Sequence, residues 1–296
     1  MKIFDCFMYF DEDIILDLRL NTLDKYVDYF VIVESHYNHK GEKKQLKFDL
    51  ENFKKFKNKI IYLVYDEVSP KIEKIDAKDN EDEKSKKYIL NAYHRENGQR
   101  NFINNGLGEA KQDDMILISD VDEIPNLEKI KFEIINKKII FFKQDMFYYK
   151  FNLKLPNLIW TGTKACKKKY LLSPQWLRNI KDKTYPFYRI DTFFSKTKYT
   201  NIHFVNEGGW HFTNIKNAEE IRKKLKSYLH HREFDINPLS IEDINEIIKD
   251  KIAIYDLKVD KRTSKIGKGS QLEKISINKL PYYLQNNIEK YNEWID

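Results

Sequence analysis

Short apolar runs alternate with longer polar segments through the amino-terminal 125 residues. Lys2 to Tyr9, Val27 to Val33 and Lys59 to Tyr65 are rich in β-branched and aromatic residues and read as strands. Asp13 is placed to cap a helix whose apolar face is Ile14, Leu18 and Leu23. A second helix is expected over Tyr88 to Asn105, and strands alternating with helices argue for parallel βαβ units. Residues 71–87 form a mixed charge run with almost no apolar positions, expected to be a solvated, mobile insertion.

Beyond Pro125 the pattern predicts a short helix, a strand over Lys138 to Phe142 and an aromatic strand over Met146 to Leu153. Pro156 to Tyr199, with Trp160, Gly162, Trp176 and Arg178, reads mostly as loop. Asn217-Ala218-Glu219-Glu220 is a capping box for a helix carrying Ile221, Leu225 and Tyr228 on one face, and Ser240 to Asp243 opens another. The tail from Ala253 is polar, with a last helix near Pro281 to Trp294.

The stretch around which the rest is organised is Met115 to Pro125. Four apolar residues, Met115 to Ile118, form a strand buried on both faces that runs into Asp120, Asp122 and Glu123, with Pro125 expected to end the ladder. In an open α/β sheet the ligand crevice lies at the carboxyl ends of the strands. Three carboxylates there are costly unless a cation compensates them, and a hard divalent ion shared with a substrate phosphate would do so. A solvated turn or a helix cap uses the same residues, so the triplet needs support from elsewhere in the chain.

Composition narrows the classes. With 296 residues, 41% hydrophobic and 14% aromatic, the chain can bury a sizeable core despite 33% charged residues. A net charge of +7 without a long basic run suits anionic substrates or peripheral contact with a membrane surface, and argues for no nucleic acid. Cys6 and Cys166 build neither a disulfide framework nor a zinc site. No apolar run approaches a membrane span and Met1 to Asp5 is unlike a signal peptide, so the chain is expected to be cytoplasmic and reduced.

Gly208-Gly209-Trp210-His211 is the second informative stretch. Paired glycines allow close backbone approach, Trp210 offers a flat face to a sugar, and a neutral His211 can ligate a metal or contact a phosphate; a tight turn with a core tryptophan is the plainer reading. Taken together, an Asp-x-Asp at the end of a nucleotide-binding half and a histidine returning from the other half resemble nucleotide-sugar glycosyltransferases of the GT-A fold.

The resemblance extends to particular motifs: Tyr9-Phe10-Asp11-Glu12, Arg19-Leu20, Phe30 to Ser35, Gly41 ahead of Lys44-Gln45-Leu46, Gln99-Arg100-Asn101, Ile118 to Pro125, Gly209 to Phe212, and Lys224-Leu225-Lys226-Ser227. In this order they resemble glycosyltransferase family 17, which includes β-1,4-mannosyl-glycoprotein 4-β-N-acetylglucosaminyltransferases. Asp11 stands where the family usually has Asn. The resemblance implies an α/β fold of GT-A type: a Rossmann-like mixed sheet flanked by helices. It spans residues 1–233, with a donor half to about 125 and an acceptor half from 126, and residues 234–296 form a helical extension packed on it. It also implies an inverting, metal-dependent transfer from a UDP-sugar, GlcNAc before others, to a glycan hydroxyl.

Asp122 would bind Mn²⁺ or Mg²⁺, Asp120 the ribose or a metal-bound water, and His211 the metal or diphosphate. Phe10, Glu12 and Glu34 would contact uridine. Arg95 or Arg100 would reach a phosphate or a carboxylate. Glu207 is the first expectation for the base, with Asp191 and Glu123 as rivals, and Trp160 and Trp210 are the expected acceptor platforms. A metal-dependent nucleotidyltransferase and a non-catalytic carbohydrate-binding protein are the alternatives. The first predicts release of pyrophosphate; the second predicts glycan binding indifferent to Asp122.

Overall fold

The computed structural model describes residues 1–183, 185–186, 188–228, 231–255 and 269–296. Chain order is β1 (Ile3–Tyr9), α1 (Asp13–Leu23), β2 (Tyr29–Ser35), β3 (Ile60–Tyr65), α2 (Glu81–Asn101), β4 (Met115–Asp120), β5 (Glu123–Pro125), β6 (Ile139–Tyr148) and β7 (Leu153–Lys167). There follow α3 (Pro174–Asn179), α4 (Asp191–Phe194), β8 (Ile202–Val205), β9 (Gly209–Thr213), α5 (Ala218–Ser227), α6 (His231–Ile236), α7 (Ile241–Lys249), β10 (Glu273–Lys274) and α8 (Tyr282–Asn286).

These strands form one mixed sheet in the order β3-β2-β1-β4-β7-β6-β9-β5, with β8 paired to β6 and β10 to β7. The expected parallel units are present: β1 pairs with β2 and with β4 in parallel, so that Cys6 faces Val31 on one side and Ile118 on the other. One face of this half packs Phe7, Phe30, Ile32 and Leu117 against Ile15, Leu16 and Leu20 of α1. The other packs Phe4, Val31, Val33, Ile116 and Ile118 against Ile103 and, from α3, Trp176 and Leu177. Both faces being covered is why these strands are near-continuously apolar rather than alternating. Each such buried side chain contributes about 1.5–3 kcal/mol of transfer free energy. Both cysteines are free, buried thiols in the second cluster, as their apolar context suggests.

Several expectations shift. Helix α2 begins at Glu81, inside the charge run, because Asn80 and Glu83 form a reciprocal capping box that satisfies two amides without any apolar contact. The preceding loop is tied down where Asn91 bonds both the N–H and the carbonyl of Glu73. Asp13 is not the cap of α1: Glu12 occupies that position and the Asp13 carboxylate accepts the Tyr9 hydroxyl. Pro125 ends a ladder as expected, but that of a separate short strand: after β4 stops at Asp120 the chain turns and β5 pairs antiparallel with β9, with Pro125 its last residue. The separate strands expected at 138–142 and 146–153 are instead one strand, β6, closed by a turn with Tyr149 at φ 62°.

The stretch read as loop after Pro156 is largely β7, fifteen residues long, and α3. Pro156 and several polar positions break its apolar alternation, while pairing to β4, β6 and β10 supplies the order that local propensity lacks. The tail is not only helical. Glu273 and Lys274 add a strand to β7, and Leu280, Leu284 and Tyr291 enter the core beside α1. Residues 256–268 of the polar tail lie outside the described residues. No helix among the described residues is long and apolar enough to cross a membrane.

Candidate active site

A cavity of about 230 Å³ opens at the carboxyl ends of the parallel strands. The loop after β1 contributes Phe10 and Glu12, the loop after β2 Tyr37, Asn38 and His39, and α2 Gln99 and Arg100. Asp120 and Asp122 from the β4–β5 turn, His211 of β9 and Lys224 of α5 complete it.

The turn is shaped from behind by Arg19, which is fully buried on α1. Its Nε and Nη2 grip the Asp5 carboxylate at 2.7 and 2.6 Å, and Nη2 also donates to Ser119 Oγ. Nη1 gathers the carbonyls of Asp120, Val121 and Glu123 at 3.1, 3.1 and 2.7 Å. Three carbonyls drawn onto one guanidinium make the chain reverse sharply at these residues. A planar fork with five donors suits that task where an ammonium would not. The β5–β9 pairing needs the paired glycines: Gly209 has φ +130°, and a Cβ there would lie 2.1 Å from the Ile124 carbonyl.

Asp120 sends Oδ1 to Arg100 and Oδ2 to Arg178, both at 2.9 Å. Burial opposes its ionisation, but the Arg178 and Arg100 charges outweigh it and hold the carboxyl well below the ordinary range. Asp122 lies 3.4 Å from His211 Nε2 and 3.9 Å from Lys224 Nζ. Burial again raises its pKa, and His211 and Lys224 reverse the shift to a net lowering. For His211 burial works downward, yet Asp122, with Glu123 and Asp120 behind it, brings the pKa above 6.5. His211 Nδ1 is buried without a hydrogen-bond partner, and the ring lies 5.4 Å from that of Trp160.

The expectation that a bound cation must neutralise three carboxylates is thus altered: the chain itself supplies Arg100, Arg178 and Lys224. Among the described residues no group of three or more His, Cys, Asp or Glu side chains converges to hold a metal. The donor set available is Asp122 and His211. Such a pair suits a divalent ion that takes its remaining ligands from phosphate oxygens and water. Asp120, expected at the metal or ribose, has both oxygens engaged by guanidinium groups.

The other expected residues divide. Phe10, Glu12 and Arg100 line the cavity. Glu34 does not: it is fully buried and accepts from Lys44 Nζ, the amides of Lys47 and Phe48, and the Tyr62 hydroxyl, so it orders the following loop. Arg95 donates to the carbonyls of His39 and Lys40, bracing the turn at Gly41, whose φ is +102°. Among the expected bases, Glu207 is exposed on the β8–β9 turn at φ 49°, and Asp191 is paired with Arg189 and Lys198 on α4. Neither reaches the cavity lining. Glu123 is fully buried, accepting from Trp160 Nε1, the Asp120 amide and both terminal nitrogens of Arg178. Trp160 stands beside His211 without lining the cavity, and alternation along β9 turns Trp210 to the opposite side, where its Nε1 donates to the Lys279 carbonyl.

Arg178 is the site residue that sequence reasoning missed. Its signal was thin: Ser173-Pro174 opens a helix in a segment without apolar period, and the Ser173 side chain does cap it through the Trp176 amide. Two further bonds, from Lys164 Nζ to the carbonyls of Arg178 and Ile180, set the end of that helix against β7.

A family model, Glycosyltransferase family 17, matches residues 1–295. No curated protein sequence matches the chain.

Proposed function

The chain belongs to glycosyltransferase family 17 and is therefore a glycosyltransferase, moving a sugar from a donor to a glycan acceptor; from that premise we propose a metal-dependent, inverting transfer of GlcNAc from UDP-GlcNAc, on a GT-A-type fold. The observation that carries the reading is the meeting of Asp122, His211 and Lys224 in a cavity at the carboxyl ends of β1, β2 and β4. A carboxylate, an imidazole and an ammonium there suit a nucleoside diphosphate with its divalent ion.

Asp122 and His211 would hold Mn²⁺ or Mg²⁺. The ion, when bound, neutralises charge on the departing diphosphate. Lys224, which lines the same cavity, would add a second positive charge beside that diphosphate. Asp120 does not take part directly; locked between Arg100 and Arg178, it fixes the turn that presents Asp122. Phe10 and the loop carrying Tyr37 and Asn38 give the nucleoside an aromatic and amide-lined wall.

Inversion by single displacement requires a base at the acceptor hydroxyl. We assign it to Glu12 rather than to Glu207, Asp191 or Glu123. Of the carboxylates lining the cavity, Glu96 pairs with Arg100, Asp120 with Arg100 and Arg178, and Asp122 with Lys224, while Glu12 has no ion pair among the described residues. Glu12 lines the cavity; its Oε2 accepts the amides of Phe10 and Asp11 at 3.1 Å each, and Oε1 makes no hydrogen bond among the described residues. Burial raises its pKa against the pull of Lys216 and Lys224, the direction that makes a carboxylate a stronger base. In the step, Oε1 takes the hydroxyl proton as the acceptor oxygen bonds to the anomeric carbon and the bond from that carbon to the diphosphate oxygen breaks. Product analysis by NMR tests this: the new linkage should have the opposite anomeric configuration to the donor. Retention would overturn the single displacement.

A further inference from the structure

We propose that the recess beside the donor cavity, between α5 and the loop after β2, binds the oxyanion of an acidic acceptor, a saccharide bearing a phosphate or a carboxylate. The proposal rests on the transferase reading of the adjoining cavity and names the acceptor class for it.

The recess encloses about 500 Å³ and shares Phe10, Asn38, Lys44 and Ser227 with the donor cavity, so one ligand can reach from one space into the other. Lys43 stands on one wall and Arg222, Lys223 and Lys226 on the other. Among the described residues these four make no ion pair and no side-chain hydrogen bond. Arg222 lines the recess half-buried, and its Nε has no hydrogen-bond partner among the described residues. The lysines elsewhere are commonly neutralised, as in Lys59–Asp24, Lys87–Asp79 and Lys169–Asp113. Two carboxylates, Glu42 and Glu219, also line the recess, so four cations stand against two anions there, and among the described residues neither anion is within ion-pair distance of those four.

Helix geometry separates this recess from the donor's own phosphate site. Arg222 and Lys226 are four residues apart and share one face of α5, while Lys224 points to Asp122. One helix therefore presents a cation to the donor cavity and another pair to its neighbour. A guanidinium with an unused N–H, flanked by ammonium groups, suits phosphate or carboxylate oxygens.

The test is calorimetric titration of the full chain and of two variants, Arg222→Gln/Lys226→Gln and Lys43→Gln. The probes are UDP-GlcNAc with Mn²⁺, a mannobiose phosphate, a digalacturonate, and the corresponding neutral disaccharides. The unmodified chain should bind at least one acidic disaccharide about tenfold more tightly than its neutral counterpart, and the preferred acid distinguishes phosphate from carboxylate. The double variant should lose that preference, and Lys43→Gln part of it, while UDP-GlcNAc affinity stays within about threefold. Equal binding of acidic and neutral sugars, or binding of neither, would overturn the proposal. So would a parallel loss of UDP-GlcNAc in the double variant, since the recess would then serve the donor diphosphate. If UDP-GlcNAc fails to bind the unmodified chain while the acidic preference persists, the recess stands and the donor reading falls.

Discussion

Arg178 and Glu123 meet in a two-point ion pair, with Nη1 2.7 Å from Oε2 and Nη2 3.0 Å from Oε1, and the same guanidinium reaches Asp120 at 2.9 Å. The pair joins α3 to β5 and stands directly behind the cavity. Its effect is to turn two of the three carboxylates of the Asp-x-Asp-Glu turn into framework, while Asp122 faces the cavity. A buried pair of this kind is costly to break, because the partner left behind is a charge without compensation.

Glu123→Gln should therefore act on stability. Urea unfolding is expected to show a loss of about 3 kcal/mol, the magnitude of breaking a buried pair from one side. If Glu123 were the base, turnover would collapse with the unfolding midpoint unmoved.

Arg19→Lys keeps a positive charge beside Asp5 but removes the fork that collects three carbonyls. The protein should fold with a lowered Tm, and its metal-dependent affinity for the donor should fall about tenfold, as for a residue that orients a ligand without touching it. Unchanged affinity would mean that the turn holds its form without Arg19.

Glu12 makes a pH prediction. Its folded pKa lies above 4.5 and the base is the deprotonated form, so kcat should fall as pH drops through that raised value. Glu12→Gln should lower kcat at least about a hundredfold, with KM for the donor little changed. A rise in donor KM with kcat preserved would return Glu12 to the role of a uridine contact.

What the sequence revealed and concealed has a physical pattern. Strands β1, β2 and β4 were legible because both faces are covered, which demands continuous apolar runs. The meeting of Asp122 and His211 in one cavity was legible because a strand end and a segment after paired glycines both mark places where the chain turns at the edge of the sheet. Strand β7 was not, since its order comes from three neighbouring strands rather than from its own residues. Arg178 was hidden with it, being brought to Asp120 only once β7 lies against β4. Glu34 shows the converse error: its place at the end of β2 resembles a ligand contact, but Lys44, two amides and a tyrosine use its oxygens. Trp210 was misread because alternation sends it and His211 to opposite sides of one short strand.

The most direct test of the central claim is calorimetric titration of UDP-GlcNAc in Mn²⁺ and in EDTA, on the unmodified chain and on Asp122→Ala. The account predicts binding that requires the metal and is lost in the variant, with UDP-glucose, UDP-galactose and GDP-mannose weaker. Binding that is the same in EDTA, or that survives Asp122→Ala, would contradict a metal-diphosphate site on Asp122 and His211.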